Sequence, residues 1–247
     1  MMYNNLASVY DKLMEDMPYV EWADFIEKII ENEKIQVKNI LDLGSGTGSI
    51  SSLLSARGYE VTNLDFSQEM LDRGKEKYEK IGAKGTFLNS DIRDIDFQEE
   101  YDCIISTFDT LNYFIEEEEL KDVFDRVYKA LKKEGIFLFD LNTLYKFEKI
   151  LGKEIYTYNT EDIVYIWENE YSKNTEILEI DLSFFIKKDG NNYSRFNEYH
   201  VQRYYSFEKV QEFLKKTGFA KIQVFQDLDF KEPGEKGIRN FFVARKG

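Results

Sequence analysis

At 247 residues, with 33 Lys and Arg against 47 Asp and Glu, the chain carries a formal net charge of −14 and is long enough to bury a sizeable core. Such a charge repels nucleic acid and anionic membrane at long range, so small or cationic substrates are favoured and nucleic acid is disfavoured as a partner. Cys103 is the single cysteine, which excludes an internal disulfide and a cysteine metal cluster; in its apolar strand it reads as a small buried hydrophobe.

The stretch MMYNNLASVYDKLMEDM has neither a basic start nor an apolar centre and does not read as a signal peptide. No apolar run approaches the roughly 20 residues that span a bilayer, so the expected location is cytoplasmic, with no membrane partner. Trp22, Phe25, Ile26, Ile29 and Ile30 then recur at helical spacing, and Pro18 suits the first turn of that helix.

Ile40, Leu41 and Leu43 read as a short buried parallel strand, and Gly44-Ser-Gly-Thr-Gly48 follows immediately before the next helix. A strand that turns at once into a helix through small residues offers backbone N–H groups to a small ligand. Asp42 sits just before the glycines, where a carboxylate repels a pyrophosphate and attracts a cation, and the spacing G-x-G-x-G lacks the third glycine of a dinucleotide site. Glu60 to Asp65 reads as a second strand whose closing acid falls about 20 residues beyond the glycines, where such folds hold ribose hydroxyls. A ribose-bearing, phosphate-free, cationic ligand fits best.

Ser67 is placed to cap the next helix, which runs through Leu71, Gly74 and Tyr78 to Gly82. Gly85 to Asp91 reads as a third strand ending in an acid, and Tyr101 to Ser106 as a fourth. Glu116 to Glu119 and Lys129, Lys132 and Lys133 suit the two ends of one helix, which Gly135 stops; Ile136 to Leu141 is the fifth strand. The alternation implies an α/β fold with a doubly wound, mostly parallel sheet. From 154 to 205 strand character and aromatic residues dominate, and Asp189-Gly190 signals a hairpin. Ser206 caps a last helix that Gly218 stops. Phe219 to Phe225 and Asn240 to Ala244 form a closing hairpin around a loop from Asp229 to Arg239.

In order, ILDLGSGTG, NLDFSQEML, NSDIRDI and FDTLNYF resemble the motif set of class I S-adenosylmethionine-dependent methyltransferases over most of residues 1 to 145. The resemblance implies a Rossmann-like, seven-stranded sheet over residues 1–153 and 206–247, with residues 154–205 as an antiparallel β lid. It implies S-adenosylmethionine as cofactor, with Asp65 on the ribose, Asp91 and Ile92 at the adenine, Phe66 and Met70 lining the adenosine, and Gly44, Ser45 and Gly46 at the methionine portion. Tyr3 and Thr107 are further cofactor positions, and Tyr10-Asp11 resembles the Tyr-Asp pair at the entrance of small-molecule methyltransferases.

Transfer from a sulfonium needs positioning, exclusion of water and management of one proton, so no catalytic triad is expected. FDTLNYF and the HVQR segment at 200 to 203 resemble the amino-sugar N-methyltransferases, which implies a small-molecule acceptor, an amine before an oxygen nucleophile, with Tyr10, Tyr113 and His200 orienting it. Asp109 stands near the position of a catechol-type metal ligand but without a ligand set, so no metal is expected. A two-residue turn at Asp189-Gly190 would place Glu179 opposite His200 and Asp181 opposite Glu198, forming a polar face toward the cleft. Two other readings stay open. An RNA methyltransferase would draw on Lys146, Lys149, Lys153, Lys187, Lys188 and Arg195 for a basic face, and a regulatory protein would bind the cofactor without turnover. Oligomeric state is not legible.

Overall fold

A computed structural model describes residues 7–190 and 192–247. Its main sheet has the order β10-β11-β5-β4-β1-β2-β3, built from β1 (Asn39–Leu43), β2 (Glu60–Asp65), β3 (Gly85–Asn89), β4 (Tyr101–Ser106), β5 (Leu131–Asn142), β10 (Lys221–Gln226) and β11 (Arg239–Arg245). All pairings are parallel except those of β11, which runs antiparallel to both β5 and β10. The expected doubly wound, mostly parallel sheet is thus observed.

Strand alternation sorts the core onto two faces. Phe137, Phe139 and Leu141 of β5 point toward α5 (Glu117–Ala130) and α6 (Phe207–Thr217), meeting Val123, Phe124, Val127, Val210 and Leu214. Ile136 and Leu138 point the other way, toward α2 (Tyr19–Glu33) and α3 (Ser49–Ala56), where Trp22, Phe25, Ile26 and Leu54 pack with Cys103. Phe139 stacks on Phe242 with centroids 4.8 Å apart, a pair that adds about 0.5–1.5 kcal/mol beyond its buried area. α4 (Gln68–Ile81) follows β2, with Ser67 Oγ accepting from Met70 N at 3.3 Å and Gly82 closing it at φ 68°. One helix boundary differs from expectation. α5 ends at Ala130, and Lys132 and Lys133 already belong to β5, because Leu131 pairs with Tyr101 across a bulge.

A second, antiparallel sheet of order β6-β7-β8-β9 comprises Ile155–Asn159, Ile163–Ser172, Ile177–Lys187 and Tyr193–Arg203. Its inner face carries Leu178, Ile180, Phe184 and Phe196. That face packs on Phe147 and Leu151, and on Val9 of a short helix α1 (Ala7–Leu13). The register corrects the expected pairing. Lys188 N bonds to Asn192 O (2.9 Å), so the hairpin loop holds three residues, with Gly190 at φ 61°. His200 therefore lies opposite Ile180, and Asp181 opposite Tyr199. Glu179 and Asp181 fall on the exposed outer face, while His200 and Glu198 are buried on the inner face.

The second sheet is bolted to the first near the carboxyl end of β4. Asn112, in the 3₁₀ turn Thr110–Tyr113, donates from Nδ2 to Arg203 O (2.7 Å) and accepts from Asn142 N (3.0 Å), and Tyr205 Oη donates to Phe114 O at 2.6 Å. Among the described residues no helix is long and apolar enough to cross a membrane.

Candidate active site

β1 turns into α3 through Gly44 (φ 70°) and Gly46 (φ 54°). A Cβ at Gly44 would lie 2.5 Å from Thr110 Cγ2, so the loop approaches the β4 end more closely than any side chain allows. The loop amides are not offered outward as expected. Gly44 N and Ser45 N donate to Leu64 O (2.8 and 3.0 Å), and Gly46 N donates to Asp65 Oδ2 (2.8 Å), which ties the loop to β2. The expected helix-start cradle for a small ligand therefore has its first amides spent inside the protein. Ser45 Oγ and Asp42 Oδ1 are buried without a partner among the described residues. Burial pushes the Asp42 carboxyl up to about 7 against the Ser51 hydrogen bond, so a nearby cation would favour its charged form.

Asp65 is buried, and Gly46 N and Ser67 N each donate to one of its oxygens at 2.8 Å, leaving further lone pairs for hydroxyls. Its neighbour Phe66 is 52% exposed at the strand end, a ring on which a base can stack. Met70, in the first turn of α4, is buried. Asp91 is less free than expected: Arg93 donates to it from Nε (3.0 Å), from a terminal nitrogen (2.7 Å) and from its backbone N (2.8 Å), and this holds the carboxyl below its ordinary value. Ile92 is buried in the 3₁₀ turn that follows. Thr107, also buried, accepts through its carbonyl from Thr110 Oγ1 at 2.8 Å. Tyr3 lies outside the described residues. Asp11, on α1, accepts from Thr47 Oγ1 (2.6 Å) and Lys77 Nζ (3.0 Å), which docks α1 against the glycine loop.

Beyond β4, Tyr113 Oη lies 3.5 Å from His200 Nδ1, with the rings edge to face. The Tyr10 hydroxyl is pushed up by burial, then by Tyr19, Asp109 and Tyr113, so the three expected acceptor-side residues share one region. His200 is 2% exposed, and burial pushes its imidazole from 6.5 down to about 4. Below 6.5 the unfolded chain binds a proton here that the folded chain refuses, and above it both states hold the neutral ring. Stability is expected to fall as pH drops through that window, by roughly 3 kcal/mol in full. Comparing urea midpoints of wild type and His200→Asn between the two values measures this, and parallel curves would show no contribution from His200.

Sequence reasoning missed the charged cluster under this region. Phe108 and Asp109 both take left-handed backbone (φ 58° and 54°), a strain that such sites concentrate. Asp109 is reached by an Arg239 terminal nitrogen (2.7 Å), Gln202 Nε2 (2.7 Å) and, at 4.0 Å, Lys146 Nζ. Burial alone would raise its carboxyl, but Arg239 and then Lys146 hold it low. Arg239 also pairs with the fully buried Asp140 and stands 5.5 Å from the centre of the Trp22 ring. An acid inside the apolar run Phe137-Leu-Phe-Asp-Leu141 was the one available signal, because a buried carboxylate requires a counter-ion. Among the described residues no group of three or more His, Cys, Asp or Glu side chains is arranged to hold a metal ion. An open groove of about 790 Å³ borders Asn39, Glu60, Gly85 and Tyr101, at the opposite, amino ends of the strands.

Gathered at the carboxyl ends of a doubly wound sheet, these groups define an enzyme of Rossmann-like type that takes a nucleoside-bearing cofactor. Residues 40–135 match the family described as Methyltransferase domain. The chain is 37% identical to the provisionally designated methyltransferase YqeM of Bacillus subtilis (strain 168), over 100% of this chain and 98% of that one. The crystal structure of an S-adenosylmethionine-dependent methyltransferase from Clostridium acetobutylicum ATCC 824 aligns with TM-score 0.88 and 31% identity over 99% of both chains. CalS10, a SAM-bound amino pentose methyltransferase from Micromonospora echinaspora, shares the fold at TM-score 0.77 and 14% identity over 97% of both chains. The chain belongs to the class I S-adenosylmethionine-dependent methyltransferases, and S-adenosylmethionine is its cofactor. The residues fit that group: a buried acid for ribose hydroxyls, an exposed ring for a base, and an orphaned carboxyl oxygen suited to a cationic ligand.

Proposed function

We propose that this methyltransferase acts on a small-molecule amine. When bound, S-adenosylmethionine supplies an activated methyl group. Asp65 holds the ribose, Phe66 stacks on the base, and Asp91, shared with Arg93, reads the adenine edge beside Ile92 and Met70. Gly44, Ser45, Gly46 and Thr107 border the methionine end. The four-stranded sheet, within residues 154–205, is the lid over a methyltransferase domain of 1–153 and 206–247.

The observation that carries the acceptor assignment is the neutral, desolvated grouping of Tyr10, Tyr113 and His200, with Tyr113 Oη 3.5 Å from the imidazole. Burial that lowers His200 also disfavours an ammonium, so an amine entering there is held as the free base with its lone pair available. Tyr10 and Tyr113 orient it through their hydroxyls, and their bulk excludes water. The shared fold with an amino pentose methyltransferase is compatible with this reading. Of the six residues available for an RNA-binding face, two are paired with acids, Lys153 with Glu170 and Lys187 with Glu161, and Lys146 lies in the cleft.

Calorimetric titration with S-adenosylmethionine and S-adenosylhomocysteine is the first test. Asp65→Ala is expected to weaken binding by about 2 kcal/mol or more, since a charged hydrogen-bond acceptor is lost. Methyl transfer assayed on amines, alcohols and RNA then separates the acceptor classes. Transfer to RNA alone, or to none of the three, would overturn the amine assignment.

A further inference from the structure

Lys146 opens a six-residue π-helical turn, Lys146–Leu151, that links β5 to the second sheet; such turns recur at functional sites. Its backbone N is fixed by Thr143 Oγ1 at 3.2 Å. An ammonium has three donors. Among the described residues Nζ makes one hydrogen bond, to the neutral Asn142 Oδ1 (2.8 Å), and stands 4.0 Å from Asp109 Oδ1. That carboxylate is already committed to Arg239 and Gln202, both at 2.7 Å. Asp140, the other acid of the cluster, is also taken by Arg239. Nζ therefore keeps two of its three donors uncommitted among the described residues, while Asp109, Asp140 and Asp227 act on its charge and Arg239 opposes them. Burial lowers its ammonium against the pull of Asp109.

Two features make this a place for a ligand. The Lys146 side chain is mostly enclosed but keeps 17% of its surface open to the cleft. Asp109 faces both Lys146 and the Tyr10 hydroxyl, and its partner Gln202 lies two residues from His200 on the same inward face of β9 (Tyr193–Arg203), so the cation borders the acceptor region. We propose that Lys146 anchors an anionic group, a carboxylate or a phosphate, on the methyl acceptor, so that the acceptor is an amine carrying a negative charge. The inference rests on the amine reading above and narrows it. In a chain of net charge −14, long-range attraction does not recruit such a molecule, and the recognition is local.

The test is calorimetric titration of the protein saturated with S-adenosylhomocysteine, using acetate in one arm and inorganic phosphate in the other. Saturable binding of one anion per chain is expected in the millimolar range for wild type and for Lys146→Arg. Lys146→Met is expected to bind at least about tenfold more weakly, a difference of about 1.4 kcal/mol. Unchanged S-adenosylhomocysteine affinity in both variants reports an intact fold. The arm that binds more tightly identifies carboxylate or phosphate. No saturable binding of either anion to wild type, or equal binding to Lys146→Met, would overturn the assignment. The amine reading is decided separately by methyl transfer to amines with and without an attached anion. If it holds, Lys146→Met raises KM for the anionic amine while kcat changes little.

Discussion

Gly44→Ala is expected to remove cofactor binding and to destabilise the fold by about 3 kcal/mol, the sum of a left-handed backbone forced on a side chain and an overpacked contact. The new Cβ would stand 2.5 Å from Thr110 Cγ2 and 3.1 Å from its Oγ1, at φ 70°. Thr110 has little room to retreat, because its hydroxyl is held by Thr107 O at 2.8 Å within the turn that carries Tyr113. A shift there moves the loop that joins the cofactor end to the acceptor end. Gly46→Ala is the control. Nothing lies within 4 Å of its added Cβ, so only the φ of 54° opposes it, at about 1 kcal/mol. Urea denaturation and S-adenosylhomocysteine titration of both variants measure the difference. Thr110→Ser, which deletes the clashing methyl, is expected to restore part of the Gly44→Ala loss. Equal effects at the two glycines would refute the close-approach argument.

The parallel sheet was legible because β1, β4 and β5 carry short apolar runs, and Asp65 at the close of β2 with Asp91 two residues beyond β3 marks the end where ligands bind. The helices were legible from their buried spacing, and α4 and α6 also from the glycines that stop them, Gly82 and Gly218. The hairpin register was not, because Asp-Gly suits both a two-residue and a three-residue loop and the choice lies in backbone torsions. One residue of slip sent Glu179 and Asp181 outward and put His200 opposite Ile180, buried on the inner face. That change matters chemically. Opposite a glutamate His200 would be raised, whereas burial opposite Ile180 lowers it. The charged cluster was hidden for a different reason. Asp109, Asp140, Lys146, Gln202 and Arg239 come from five separate segments, and no periodicity joins them. Asp91 was expected to close the third strand, but β3 ends at Asn89 and Asp91 instead caps the following 3₁₀ turn, where Arg93, two residues on, engages it.

Arg239→Met is expected to cost about 3–5 kcal/mol, as removing one partner of a buried ionic group leaves the other charges uncompensated. Asp140 is 0% exposed and Asp109 has 18% of its side chain open, so neither carboxylate has enough water to replace the guanidinium. Asp140 is raised by burial even with Arg239 present, and losing that cation raises it further. A carboxyl whose folded pKa lies above its unfolded one contributes stability at low pH and loses it as pH rises through the folded value. The deficit of Arg239→Met relative to wild type is therefore expected to shrink as the medium is acidified, measured as the gap between urea midpoints at neutral and at acid pH. Arg239→Met combined with Asp140→Asn removes one orphaned charge and is expected to recover part of the loss at neutral pH, with little further recovery in acid. A gap that widens on acidification would mean that the carboxylates are not the groups Arg239 compensates. Because Asp109 also holds Gln202 of β9, the same variant is expected to loosen the second sheet over the acceptor region. Faster amide exchange at His200 and Gln202, with exchange in β1 unchanged, would register that loosening.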